Sequence, residues 1–312
     1  MVRLEIRHRP PSADLVPLYL YRGLRRLALA VACAAALGAL VHAGTEAPAP
    51  QPNEGPLPDP GAFAHEVRTR LRADRELQSE YTYIERREEI RVSKLGEVTE
   101  GPVKVYEVYP SREPGHTYKR LIAVNGVPLA PEELAKADRK HREDLRRERE
   151  RRARETPGER SRRLAKEAEE RRQRAAVLDE IFNAYHIRLV RREVVDGHPT
   201  ILATLDPKSD HRPRTDEGRL MMKLRARAWV SESDYQIVRA EVEVIEDVTI
   251  GWGIIGRLHK GTRGVFERRK INNEVWLPSR ETLVGSGRAL LFRSFQVNTV
   301  TQYSDYRRKV EK

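Results

Sequence analysis

The chain has 312 residues, 59 Lys and Arg against 47 Asp and Glu, and one cysteine. The net charge of +12 suits anionic partners. A single cysteine leaves no internal disulfide, so stability must come from an apolar core, which a chain of this length can bury. There is no HExxH, no Cys/His set with zinc spacing, no G-x-S-x-G and no Walker loop. The reading is therefore a non-enzyme, with no catalytic residue, no metal and no cofactor.

Arg22, Arg25 and Arg26 precede a run, residues 27–41, that holds fifteen residues without a charge and leads into Val41-His42-Ala43. This is the layout of a secretory signal peptide over residues 1–43, cleaved near Ala43, with a periplasmic or cell-envelope destination. The run is short of the roughly 20 residues that span a bilayer; an uncleaved anchor is the alternative. Cys33 lies inside the run with apolar residues on both sides, which argues against lipidation there. Residues 44–60 carry six prolines and read as a disordered linker.

The domain proper is expected over residues 61–312. Phe63, Val67, Leu71 and Leu77 recur near helical spacing, so a helix is expected over 61–80. Strands are expected from Tyr81, over Val103–Tyr109 and over Leu121–Val124, with Asn125-Gly126 as a tight turn. Residues 132–174 then hold 17 basic and 12 acidic residues in 43. Their i,i+4 Glu/Arg spacing supports helices that are solvated nearly all round. Thr156-Pro157-Gly158-Glu159 carries a capping box and a proline at the first helical position, so a second helix should start there. By Val177, Leu178, Ile181, Phe182 and Tyr185 it has gained an apolar face that should dock on the core.

The second half reads as β. His186–Val195 and Thr200–Leu205 flank the turn Asp196-Gly197-His198-Pro199. A strand is expected from Leu220 to Val230, with Leu220, Met222, Leu224, Ala226, Ala228 and Val230 on its buried face. It turns through Ser231–Asp234 into a partner whose buried face is Val238, Ala240, Val242 and Val244. Further strands are expected over Gly264–Ile271, Val275–Val284, Ala289–Val297 and Thr299–Tyr306, turning at Asn272-Asn273 and Gly285-Ser286-Gly287. Short connections predict an antiparallel meander of about ten strands in all. The class is α+β: a large antiparallel sheet with helices, and a charged helical insertion at 132–174.

The order of a hairpin with Trp229-Val230-Ser231, then Glu274-Val275-Trp276-Leu277-Pro278, then Tyr303-Ser304-Asp305-Tyr306 resembles outer-membrane lipoprotein-sorting proteins of the LolA/LolB type over residues 185–308. It is also similar to acidobacterial exported proteins with such a C-terminal half. The resemblance implies a curved half-barrel with covering helices around an apolar cavity, and lipid or lipoprotein acyl chains as partners. The charged insertion departs from the family, and no lipid-site residue carries over one by one.

The alternation itself nominates Leu224, Ala226, Val242 and Val244 as inward-facing ligand contacts, with Trp276 near a rim. Ile250, Trp252, Ile254 and Ile255, in an apolar glycine-rich stretch, could form a lip or a packed bend. That stretch spells G-x-G-x-x-G, but strands follow it where a dinucleotide site needs a helix. Arg225, Arg227 and Arg239 share the wet hairpin face and fit a solvated charged surface as well as a head-group site. In the 132–174 segment acids are mixed with bases and no aromatic is present for base stacking, which excludes nucleic acid. Two functions lead: a carrier-like protein for an apolar or lipidated ligand, or an envelope scaffold whose charged helices bind a protein partner. An enzyme with a dispersed site ranks below both, and the partners to expect besides acyl chains are an anionic membrane surface or an envelope protein.

Overall fold

A computed structural model describes residues 55–92, 98–111, 116–213, 215–250, 256–289 and 293–309. The expected signal peptide, the linker up to residue 54, and Trp252, Ile254 and Ile255 lie outside the described residues. Among the described residues no helix is long and apolar enough to cross a membrane.

Helix α1, Pro60–Gln78, is followed by strands β1 (Tyr81–Val92), β2 (Val98–Tyr109), β3 (Tyr118–Val124) and β4 (Val127–Pro128). The charged segment forms α2, Pro131–Ala153, and α3, Pro157–Ala184. The remainder is β5 (Tyr185–Val195), β6 (His198–Pro207), a short α4 (Asp216–Met221), β7 (Leu224–Ser231) and β8 (Ile237–Val244). Then come β9 (Val248–Ile250), β10 (Gly256–Leu258), β11 (Arg263–Ile271), β12 (Val275–Ala289) and β13 (Arg293–Arg308).

Local chemistry accounts for the boundaries. The Thr156 hydroxyl accepts from the Glu159 amide at 3.3 Å, and the Glu159 carboxylate accepts from the Thr156 amide at 2.8 Å, so α3 starts on the expected capping box. The β5–β6 turn places Asp196 at φ 48° and Gly197 at φ 75°, the left-handed pair that a two-residue hairpin with the right twist requires.

Three sequence expectations are corrected. The strand expected from Leu220 starts only at Leu224, because Thr215 caps a helical turn by accepting from the Gly218 amide at 2.8 Å. Gly285-Ser286-Gly287 is no turn but the interior of β12. A Cβ at Gly285 would overlap the Thr262 side chain, and one at Gly287 the Arg257 carbonyl oxygen, so both glycines answer to close approach. The two final strands are one, β13, while β4, β9 and β10 were not expected, and the described sheet has 13 strands.

Every pairing is antiparallel, and the main path runs β4-β3-β2-β1-β13-β12-β11-β8-β7-β6-β5, with the β9–β10 hairpin added on β12. The sheet is an open half-barrel made of two meanders, sewn together where β1, the first strand, pairs with β13, the last. The edges of the main path are β4 and β5, and the segment joining them is the charged insertion. That insertion is a strap between opposite edges of the sheet. At its start it rests on β3, where Asp138 accepts from Tyr118 at 2.8 Å and from Arg120 at 3.0 Å. There the His141 ring also stacks on Tyr118 at 3.9 Å. At its end Ile181, Ala184 and Tyr185 pack with Met221 of α4. No residue of α2 is buried.

The main apolar cluster gathers Ile201, Leu224, Ala228, Val230, Ala240, Val242, Val244, Phe266, Phe295, Val297 and Tyr303 from five strands. Helix α1 lies against it and contributes Phe63 and Val67. Phe63 meets Tyr235 ring to ring at 5.5 Å.

Candidate functional site

The β7–β8 register pairs Leu224 with Val244 and Ala226 with Val242, so four of the nominated residues form two adjacent rungs on one face. Leu224 is 3% exposed, Val244 2% and Val242 9%, and Ala226 packs against them half-buried. Three of the four are thus closed over. Helix α1 joins the same cluster through Phe63 and Val67, and is also held by an Arg68–Asp179 ion pair of 2.6 Å, each of whose side chains is about a third exposed.

Trp276 belongs to a different group, at the β7–β8 turn. Its indole N–H donates to Asp234 Oδ2 at 2.9 Å, and its ring meets His198 edge-on at 4.7 Å. Lys270 donates to the same carboxylate oxygen at 2.7 Å. Beside it the buried Arg268 donates to Gln236 at 3.0 Å and to the Trp276 carbonyl at 2.7 Å. Burial lowers the pKa of His198, so its ring is neutral against the indole at physiological pH. Ile250 is the last residue of β9, paired with Gly256.

The wet face of the hairpin is a ladder of ion pairs. Arg225 donates to Asp206 at 2.7 Å, and Arg239 to Glu241 at 2.8 Å and Glu267 at 3.3 Å, while Arg227 pairs with Glu241. Trp229 lies between the Arg227 and Arg239 guanidinium groups, 5.8 and 5.4 Å from its ring, and donates to Glu193 at 2.6 Å. These arginines already hold carboxylates, which fits a solvated surface.

Sequence reasoning missed a polar group at the margin of the apolar cluster. Glu85 of β1 is opposite Tyr303 of β13, and Glu281 of β12 is opposite Thr301. The Tyr303 hydroxyl donates to Glu281 Oε1 at 2.8 Å. Glu85 is 2% exposed and is held by Lys119 of β3 and by Arg87 at 3.4 Å. Arg87 also reaches the Tyr106 hydroxyl at 3.3 Å and covers its ring at 4.9 Å. Burial pushes the Glu281 carboxyl above the ordinary range and the neighbouring Glu85 charge adds to this, against the Tyr303 hydroxyl, Lys119 and Arg87. Burial likewise raises Tyr303 well above a free phenol. The only sequence signal was the alternation Tyr83, Glu85, Arg87. Reading it needed the β1–β13 register, which joins the two ends of the domain.

Among the described residues no three His, Cys, Asp or Glu side chains converge as metal ligands. The arrangement provides an apolar face under a helix, with hydrogen-bonding and charged groups at one margin.

No protein-family model and no curated protein matches the sequence. Solved structures show similarity at low identity. One is a domain assigned to outer membrane lipoprotein sorting from Vibrio parahaemolyticus, with 7% identity, TM-score 0.31, covering 80% of this chain and 91% of that one. Another is a LolA superfamily protein from Nitrosomonas europaea, with 11% identity, TM-score 0.25, covering 81% and 94%. A third is MucB in the MucA/MucB complex of Pseudomonas aeruginosa, with 9% identity, TM-score 0.23, covering 81% and 100%.

Proposed function

We propose that this is an exported envelope protein that binds an apolar or lipidated ligand, such as an acyl chain, on the inner face of the half-barrel, without catalysis. The observation that carries the reading is the apolar cluster from Leu224–Val244 to Phe295 and Val297, against which α1 packs Phe63 and Val67; we take α1 as its displaceable cover. Each methylene taken from water onto such a face contributes about 0.8 kcal/mol, so an acyl chain can compete with a cover that inserts few side chains. The polar margin of Lys119, Arg87, Glu85 and Glu281 would meet the polar end of an amphipathic ligand.

Titration with a fluorescent acyl-chain probe tests this. The wild type should bind saturably. Ala226→Trp, which fills space between the two rungs, should bind at least about tenfold more weakly while keeping its circular dichroism. No saturable binding by a folded wild type would sink the proposal.

A second reading has support in the near-complete cover over Leu224 and Val244. In it the sheet is a solid scaffold and the charged helices recruit an envelope partner. That protein would take up no probe, and its partner would be lost on charge reversal along α2 and α3.

A further inference from the structure

Helices α2 and α3 meet at an elbow, residues 154–156, and enclose a cleft of about 820 Å³ there. One wall is the last two turns of α2, with Arg147, Glu150, Arg151 and Arg154; the other is the start of α3, with Glu159, Arg162, Arg163 and Lys166. The spacing i, i+3, i+4, i+7 recurs on both walls, so each helix turns one side toward the cleft. Glu155 completes the lining at the bend.

The charges do not cancel. All three lining carboxylates are engaged: Glu150 by Arg146 at 3.6 Å, Glu155 by Arg163 at 2.8 Å, and Glu159 by the Thr156 amide at 2.8 Å. Arg147 is paired with Asp144, and Arg151 with Glu148, both outside the cleft. Arg154, Arg162 and Lys166 have no ion-pair partner among the described residues. Two facing walls thus hold three uncompensated cations, and no apolar or aromatic residue lines them. An acidic protein segment would want such anchors for a stable interface. Phosphate does not, since guanidinium forks match its oxygens directly.

We infer that the elbow cleft is a docking site for the phosphate groups of anionic lipid head groups at a membrane surface. Contact is electrostatic and needs no inserted apolar face, consistent with the solvated helices that carry it. The site lies on the strap, separate from the inner face of the sheet, and stands or falls independently of the ligand proposed there.

The test is co-sedimentation of the chain from Gly44 to Lys312 with vesicles of phosphatidylglycerol and phosphatidylcholine, against pure phosphatidylcholine. The wild type should bind only the anionic vesicles, and added salt should release it. The triple variant Arg154→Glu, Arg162→Glu, Lys166→Glu should bind about a hundredfold more weakly. The control triple Arg149→Glu, Arg160→Glu, Arg171→Glu carries the same charge change on exposed arm positions outside the cleft, and should keep most of the affinity. Soluble tripolyphosphate should compete in the wild type. Equal loss in both triples would reduce the effect to net charge and overturn the site. Tripolyphosphate binding without vesicle binding would overturn the membrane source. Circular dichroism of each variant establishes that the arm is still helical.

Discussion

Replacing Phe63 by alanine separates a displaceable cover from a fixed core. Phe63 is 5% exposed, packs into the main cluster, and meets Tyr235 at 5.5 Å. Losing a buried phenyl ring costs about 3 kcal/mol at the lower end of measured values. If α1 is a cover, most of that loss falls on the closed state alone, because the open state has already withdrawn the ring. The open population then rises about 150-fold, and the apparent affinity for an acyl probe rises with it until opening is no longer limiting. Arg68→Ala should act in the same direction but weakly, since a pair this solvated contributes about 0.5 kcal/mol. Probe titration and urea denaturation on the same samples read both quantities. A lower denaturation midpoint with unchanged or weaker probe binding would refute the cover and leave α1 as a fixed part of the core.

Glu281→Gln should stabilise the protein at pH 7. A carboxyl whose folded pKa is raised favours folding below its unfolded value and loses that contribution as pH rises through the folded value. The gain over wild type should therefore be largest at neutral pH and shrink toward pH 4, as read by denaturation midpoints; an equal gap at both pH values would contradict the assignment. Gly287→Ala should cost about 1–3 kcal/mol, because its Cβ meets the Arg257 carbonyl of β10, whereas Gly158→Ala, with open space around it, should be neutral or slightly stabilising by thermal melting. Deleting residues 132–174 should abolish the cooperative thermal transition. The insertion joins the two edges of the eleven-strand path and seats Ile181 and Ala184 beside Met221, and the shortened connection would put both the seating and the link between the edges under tension. A deletion that melts like wild type would show the insertion to be an appendage.

The sequence exposed what depends on neighbours in the chain. The alternation of Leu224–Val230 and Val238–Val244 put the nominated rungs on one face, and the Thr156–Glu159 box marked the start of α3. It misled where a local pattern was overruled. Leu220 and Met222 continue the β alternation on paper, yet Thr215 caps a helical turn through them. Gly285 and Gly287 look like a turn but sit within a strand that others approach closely. The group around Glu85, Glu281 and Tyr303 was out of reach because it depends on β1 pairing with β13. The role of the insertion as a strap was hidden likewise, since only the sheet order shows that it joins opposite edges.

Native mass spectrometry of the chain from Gly44 to Lys312, purified from a bacterial periplasm and then incubated with phospholipid and a lipopeptide, tests the central claim most directly. Binding on the inner face predicts a folded charge-state envelope carrying one lipid or acyl-chain mass, released on activation and absent from Ala226→Trp. A clean unliganded mass before and after incubation, on a protein that is folded by the same spectrum, would contradict it.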